Sequence, residues 1–133
     1  MLKKMLLIGL LSAGLISTAF ASDYIPPAHY QDPAKEFNFV KGVVHRTSAA
    51  WAEYKLGKYY ETGYGTKQDN LQAYVWYKMG VIDKFKPAII ALNNLKEKMT
   101  LAQIKTAEQL AYSTQNQLGM EAINDVRNFN HQH

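Results

Sequence analysis

The side chains that could do chemistry in this sequence are few and scattered. There are four histidines, His29, His45, His131 and His133, and no cysteine, so no thiolate is available as a nucleophile or a zinc ligand. His131-x-His133 is the one close histidine pair, but structural zinc needs four convergent ligands and no acidic cluster stands beside it. His45 precedes Arg46 where a helix is expected to end, the ordinary place for cations that complement the helix dipole. Glu53 and Glu61 are eight residues apart on one expected helix. That is about 12 Å of helical rise, too far for the paired carboxylates of a glycosidase. Ser48 and Ser113 lack a recognisable base, and no Gly-x-Ser-x-Gly elbow occurs. These residues nominate no catalytic group, no metal and no cofactor, and the expectation is a protein that is not an enzyme.

The stretch Gly63 to Tyr77, GYGTKQDNLQAYVWY, admits two readings. A Gly-x-Gly loop that cradles phosphate must run directly into a helix with its amides free. Here Gly63 is separated from the expected helix by several polar residues, and the residue at its mouth is Asp69, whose charge opposes phosphate. The other reading is a bend between two packed helices. Gly63 then ends one helix in the left-handed region, Gly65 lets the chain reverse without a Cβ clash, and Asp69 caps the next helix.

The elements that position these residues follow from pattern. Lys3 and Lys4 precede an apolar run that closes on Ala19-Phe20-Ala21, which reads as a cleaved signal peptide over 1–21 and an exported, periplasmic or secreted, product. No membrane-spanning segment is expected after cleavage. The 112 residues that follow carry 13 basic and 11 acidic side chains. That balance has none of the cationic clustering that nucleic acid requires. With 47% apolar residues and no disulfide, stability must come from packing.

Residues 22–34 hold three prolines and read as an extended lead segment, with Asp32-Pro33 placed to cap a helix that carries Phe37, Val40, Val43 and Val44 inward. Ala49, Ala52, Leu56 and Tyr60 form the stripe of a second helix, and Ala73, Trp76, Tyr77, Gly80 and Val81 that of a third behind Asp69. Gly57, mid-helix, implies close approach of a partner helix through Ala73 or Trp76. A further helix is expected over about 86–98. Thr100-x-x-Gln103 is a capping box for a last helix over about 101–118, with Leu101, Ile104, Ala107, Ala111, Thr114 and Leu118 on one face and Gly119 closing it. Residues 119–133 read as a flexible tail. No segment alternates as a strand must, so the fold class is all-α, a short α/α solenoid of antiparallel hairpins over 35–118.

An internal repeat supports this. Ala52-x-x-x-Leu56 recurs as Ala88-x-x-x-Leu92, 36 residues on, and Gly42-Val43-Val44-His45-Arg46 echoes Gly80-Val81-Ile82-Asp83-Lys84. Through Ala52, Leu56-Gly57, Tyr60, Gly63-x-Gly65, Asp69, Ala73, Trp76-Tyr77 and Ala88, the chain resembles the Sel1-like repeat family, relatives of the tetratricopeptide repeat. The complete unit runs over about 52–88. Departures are Thr66, Gly80-Val81, Lys84 and Asn93, where the family usually has valine, alanines, glycine and glycine.

The resemblance implies a scaffold or adaptor that docks a partner protein or peptide on the helical array. One complete unit falls short of the roughly three such arrays need, so flanking helices or a second copy of the chain must cover its ends. Trp51, Lys55 and Tyr59, four apart on the first helix of the unit and off its buried stripe, are the candidate partner-binding face, with core packing of Trp51 against the preceding helix as the alternative. Two other functions stay open. One is an envelope-acting hydrolase or penicillin-binding-like enzyme, although the exported relatives discussed in that role are cysteine-rich. The other is a small periplasmic inhibitor or immunity-type protein.

Overall fold

The computed structural model describes residues 32–131, with side chains as far as 129. The expected signal peptide and nearly all of the lead segment lie outside the described residues. Five helices follow in order: α1 (Pro33–Thr47), α2 (Ala50–Thr62), α3 (Asn70–Ile82), α4 (Lys86–Lys96) and α5 (Leu101–His131). Among the described residues there is no strand.

Local chemistry sets most of the helix ends. The Asp32 carboxylate accepts hydrogen bonds from the Ala34 and Lys35 amides at 3.0 and 3.3 Å, and Pro33, which has no amide hydrogen to lose, occupies the first turn. Asp69 does the same for Leu71 and Gln72 at 2.9 and 3.1 Å. The Thr100 box is reciprocal: the Thr100 amide donates to Gln103 Oε1 at 2.8 Å, and the Gln103 amide to Thr100 Oγ1 at 3.2 Å. α2 ends at Gly63 with φ +73°, as a left-handed cap requires.

α3 is the hub. Ala73, Tyr74, Val75, Trp76, Tyr77, Met79 and Gly80 are buried, so the helix is apolar around most of its circumference, the mark of a core element. On one side Val75, Trp76 and Met79 pack with Phe37, Val40 and Val44 of α1 and Ala52, Leu56 and Tyr59 of α2. On the other, Ala73, Tyr74 and Tyr77 pack with Leu92 and Leu95 of α4 and Ala107 of α5.

Two glycines set how closely α3 approaches its neighbours, Gly57 toward α2 and Gly80 toward α4. A Cβ on Gly57 would stand 2.5 Å from the Tyr77 ring, and one on Gly80 would stand 2.8 Å from the Ala88 Cβ. Tyr77, not Ala73 or Trp76, is therefore the side chain that needs Gly57 bare. Trp76 turns the other way, its ring 6.5 Å from that of His45. Gly65 has a further reason to be glycine besides its φ of +68°. A Cβ there would lie 2.0 Å from the Pro33 carbonyl oxygen, so the bend after α2 is pressed against the start of α1.

Three expectations need correction. The domain begins at Pro33, two residues before 35, because the Asp32 cap sets the helix start. Leu101 does not join the buried face of α5 and is 86% exposed. The last helix is not closed by Gly119, and 119–131 do not leave it as a tail: α5 continues to His131. A glycine stops a helix only where the backbone turns left-handed, and Gly119 does not have positive φ. Thirty-one residues make α5 about 46 Å long, with Glu121 held to the last turn of α1 by His45 at 3.3 Å.

The two mid-helix glycines should respond oppositely to alanine. Gly57→Ala is expected to destabilise by about 1–2 kcal/mol, since overpacking against a fully buried ring outweighs the gain in helix propensity. Gly119→Ala meets nothing within 4 Å and should stabilise by up to about 1 kcal/mol. Thermal melts followed by circular dichroism check the two signs.

Candidate functional site

In a stack of helical hairpins, the first helices of successive units lie side by side. Here those are α2 and α4, and they flank an open groove of about 420 Å³. The α2 wall is Tyr54, Lys58 and Glu61; the α4 wall is Pro87, Ile90, Ala91 and Asn94, with Lys98 at its end. The α2 residues step by four and three, so they form one continuous stripe. Ile90 is 57% exposed, too large an apolar surface on a groove wall to serve the core.

The floor is held in place by polar ties. Glu61 accepts from the Tyr77 hydroxyl at 2.6 Å and from Lys98 Nζ at 3.2 Å, and Lys58 Nζ stands 3.9 Å away. Burial works to raise the Glu61 carboxyl, but the Tyr77 and Lys98 hydrogen bonds and the two lysine charges hold it below the usual carboxylate range. It is ionised at neutral pH and opposed by two lysines, so the groove carries a net positive edge. Tyr54 is positioned by rings on both sides, Tyr77 at 5.9 Å and Phe85 at 5.8 Å.

The expected face of Trp51, Lys55 and Tyr59 does not line this groove. Trp51 is 47% exposed in the first turn of α2, which leaves it half open rather than packed away. Tyr59 is only 7% exposed and belongs to the core with Phe37 and Val40, so it is not a free contact residue. The cause is Glu36, itself buried on α1. Glu36 Oε1 accepts from Lys55 Nζ at 2.8 Å and from the Tyr59 hydroxyl at 2.5 Å, while Oε2 accepts from the Tyr64 hydroxyl at 3.0 Å. Lys55 also lies 5.7 Å from the centre of the Tyr59 ring. A buried carboxylate on the neighbouring helix has drawn two of the three residues inward, and no spacing along α2 could reveal it. The sequence reading did not single out Tyr54 and Ile90, which border the groove. Their signal was the 36-residue period itself, which sets α4 beside α2 and turns attention to the outward stripe of each.

The other candidates stand apart. Glu53 and Glu61 do not share a site: Glu61 floors the groove and Glu53 lines a separate cavity. Ser48 follows α1 and Ser113 is exposed on α5. His133 and the His131 side chain lie outside the described residues. Gly63 and Gly65 form the bend, and the motif residues Ala52, Leu56, Ala73, Tyr77 and Ala88 are fully buried.

No family model matches the chain, and no curated protein matches it. A solved structure does. It is described as a protective antigen present in uropathogenic Escherichia coli strains, displaying an SLR fold. The likeness has a TM-score of 0.62 at 20% identity, over 73% of this chain and 21% of the antigen's. The chain is an all-α helical repeat solenoid. The likeness extends to that fold and no further, since this chain spans about a fifth of the antigen's length. No described helix is long and apolar enough to cross a membrane.

The Glu36 cluster gives a pH dependence of definite sign. Burial pushes this carboxyl up, but hydrogen bonds from Lys55, Tyr59 and Tyr64 outweigh it and leave it below its ordinary 4.5. A depressed folded value stabilises above the unfolded value and loses that contribution as pH falls through the folded one. Denaturant unfolding from neutral pH downward should therefore show stability falling below about pH 4.5, and Glu36→Gln should flatten that limb. Tyr59→Ala is expected to cost about 3 kcal/mol or more, as aromatic truncations in cores do.

Proposed function

We propose that this protein is an exported member of the Sel1-like repeat family. In this reading it works as an interaction module, docking a segment of a partner protein in the α2–α4 groove without catalysing a reaction on it. The observation that carries the proposal is the pairing of exposed Ile90 and ring-supported Tyr54 beside two lysines that share one carboxylate. Tyrosine supplies contact area at low entropic cost and is enriched at binding hot spots. The excess positive charge suits a partner segment with an apolar anchor and a neighbouring carboxylate. The repeat fold supports the docking reading in general terms. Export rests on the charged and apolar pattern of residues 1–21, and periplasmic or secreted placement follows from it.

The test is capture of crosslinked partners from envelope extract, compared across variants by mass spectrometry. Tyr54→Ala and Ile90→Glu are each expected to reduce recovery of the specific partner by about tenfold or more, the size of a hot-spot loss, with helicity unchanged. Trp51→Ala should do so less. Equal recovery with both groove variants would place docking elsewhere.

A further inference from the structure

Across α2 from the groove, a second cavity of about 190 Å³ opens between the start of α2, the end of α3 and the middle of α5. That is several times the ~30 Å³ a water occupies in the liquid. Its walls are apolar, from Met79, Ile82 and Leu118, and Ser48 and Gln115 add neutral polar groups. Glu53 lines the interior and is only 3% exposed, and its Oε2 has no hydrogen-bond partner among the described residues. Asp83, the residue that caps the C-terminal end of α3, stands at the exposed edge of the same cavity.

This carboxylate is unlike the other two buried or half-buried ones on α2 or packed against it. Glu36 and Glu61 each have a lysine and a tyrosine hydroxyl. Among the described residues Glu53 has neither, and the charged group that faces it is another acid, Asp83. The α5 residues on the lining, Gln115, Leu118, Gly119 and Ala122, carry no charge. A buried carboxylate left without a partner is expensive.

Gly119 supplies an independent observation. It sits within α5, where glycine is about 1 kcal/mol worse than alanine, yet a Cβ there would meet nothing within 4 Å. No close helix packing calls for it. It is exposed and lies on the lining of this cavity, so a larger side chain there would stand at its mouth.

We infer that this cavity receives an alkyl cation, a primary ammonium or guanidinium on a methylene stem, which enters past Asp83 and Gly119 and ends on the Glu53 carboxylate. Long basic side chains combine an apolar stem with a charged head, and apolar walls leading to a carboxylate match both parts. The carbonyl end of α3 adds negative potential at the mouth. A metal ion fits the donor set poorly, because calcium takes six or more oxygens and no group of three or more ligating side chains occurs among the described residues. Burial, and after it the Asp83 charge, pushes the Glu53 carboxyl up to about 7, so an arriving cation both ionises it and neutralises it. The site is separate from the α2–α4 groove, and its test does not depend on that groove.

The experiment is calorimetric titration of the full chain with butylguanidinium and with butylammonium, using butanol as the neutral control, alongside the carbon-13 shift of the Glu53 carboxyl. At about pH 8 the cations should bind and butanol should not, and binding should weaken at least about tenfold by about pH 5.5, where Glu53 is protonated. Glu53→Gln and Gly119→Leu should each lose about tenfold or more in affinity, the second by obstructing the mouth without touching a charge. Gly119→Leu decides the matter if Glu53→Gln fails to fold. A peptide with one internal arginine that binds more tightly than butylguanidinium assigns the site to a partner's side chain; equal binding assigns it to a free amine. A Glu53 carboxyl shift that stays fixed on titration, equal binding by butanol, or undiminished binding by Gly119→Leu would overturn the inference.

Discussion

The constraint on which the rest depends is the bare backbone of Gly57 under the ring of Tyr77. With hydrogen at that position α2 and α3 close to a distance that any Cβ would forbid. The ring is thereby fully buried, with its hydroxyl pointing at Glu61. Glu61 then gathers Lys98 and Lys58, and those three residues form the floor and edge of the groove between α2 and α4. A single steric allowance in the hairpin thus sets the geometry of the surface outside it.

A second theme is the use of tyrosine hydroxyls to tie helices together through carboxylates. Tyr59 and Tyr64 converge on Glu36, Tyr77 on Glu61 and Tyr74 on Glu108. Each tie joins separate stretches of a chain with no disulfide. Hydrogen bonds to charged groups contribute about 1.5–3 kcal/mol, against about 0–1 kcal/mol for exposed ion pairs. The buried ties therefore outweigh contacts such as Lys35 with Asp32. They also place burden on ionisation: the Tyr74 hydroxyl is pushed up to about 12, by burial first and then by Glu108. Glu53 is the exception in this scheme, a carboxylate buried as deeply as Glu36 whose Oε2 has no hydrogen-bond partner among the described residues.

Helix ends were legible because they are decided by a few neighbouring residues. Asp32-Pro33, Asp69 and the Thr100-Gln103 box each satisfy free amides within their own turn, and Gly63 reverses the chain at the end of α2. Gly119 shows the limit of the same logic. The residue type is compatible with a stop, but Met120 to Asn128 contain no proline and no turn-forming run, so the backbone simply continues. The exposure of the expected partner face was not legible for a different reason. Trp51, Lys55 and Tyr59 do share one side of α2, but whether that side meets solvent depends on α1, and Glu36 closes most of it.

What the sequence determined alone was the set of interactions that act over a few residues or at a fixed period. These are the helical class, the hairpin with its bend at Gly63 and Gly65, the caps, and the 36-residue recurrence that makes α4 the counterpart of α2. Tertiary structure decided which polar side chains are spent on other helices and which are left over. Glu36 takes in Lys55 and Tyr59, Tyr54 and Ile90 come to border one groove, and Glu53 is enclosed with its Oε2 unpartnered among the described residues. Those outcomes depend on contacts between residues far apart in the chain, and periodicity gives the face a residue occupies but not what stands opposite.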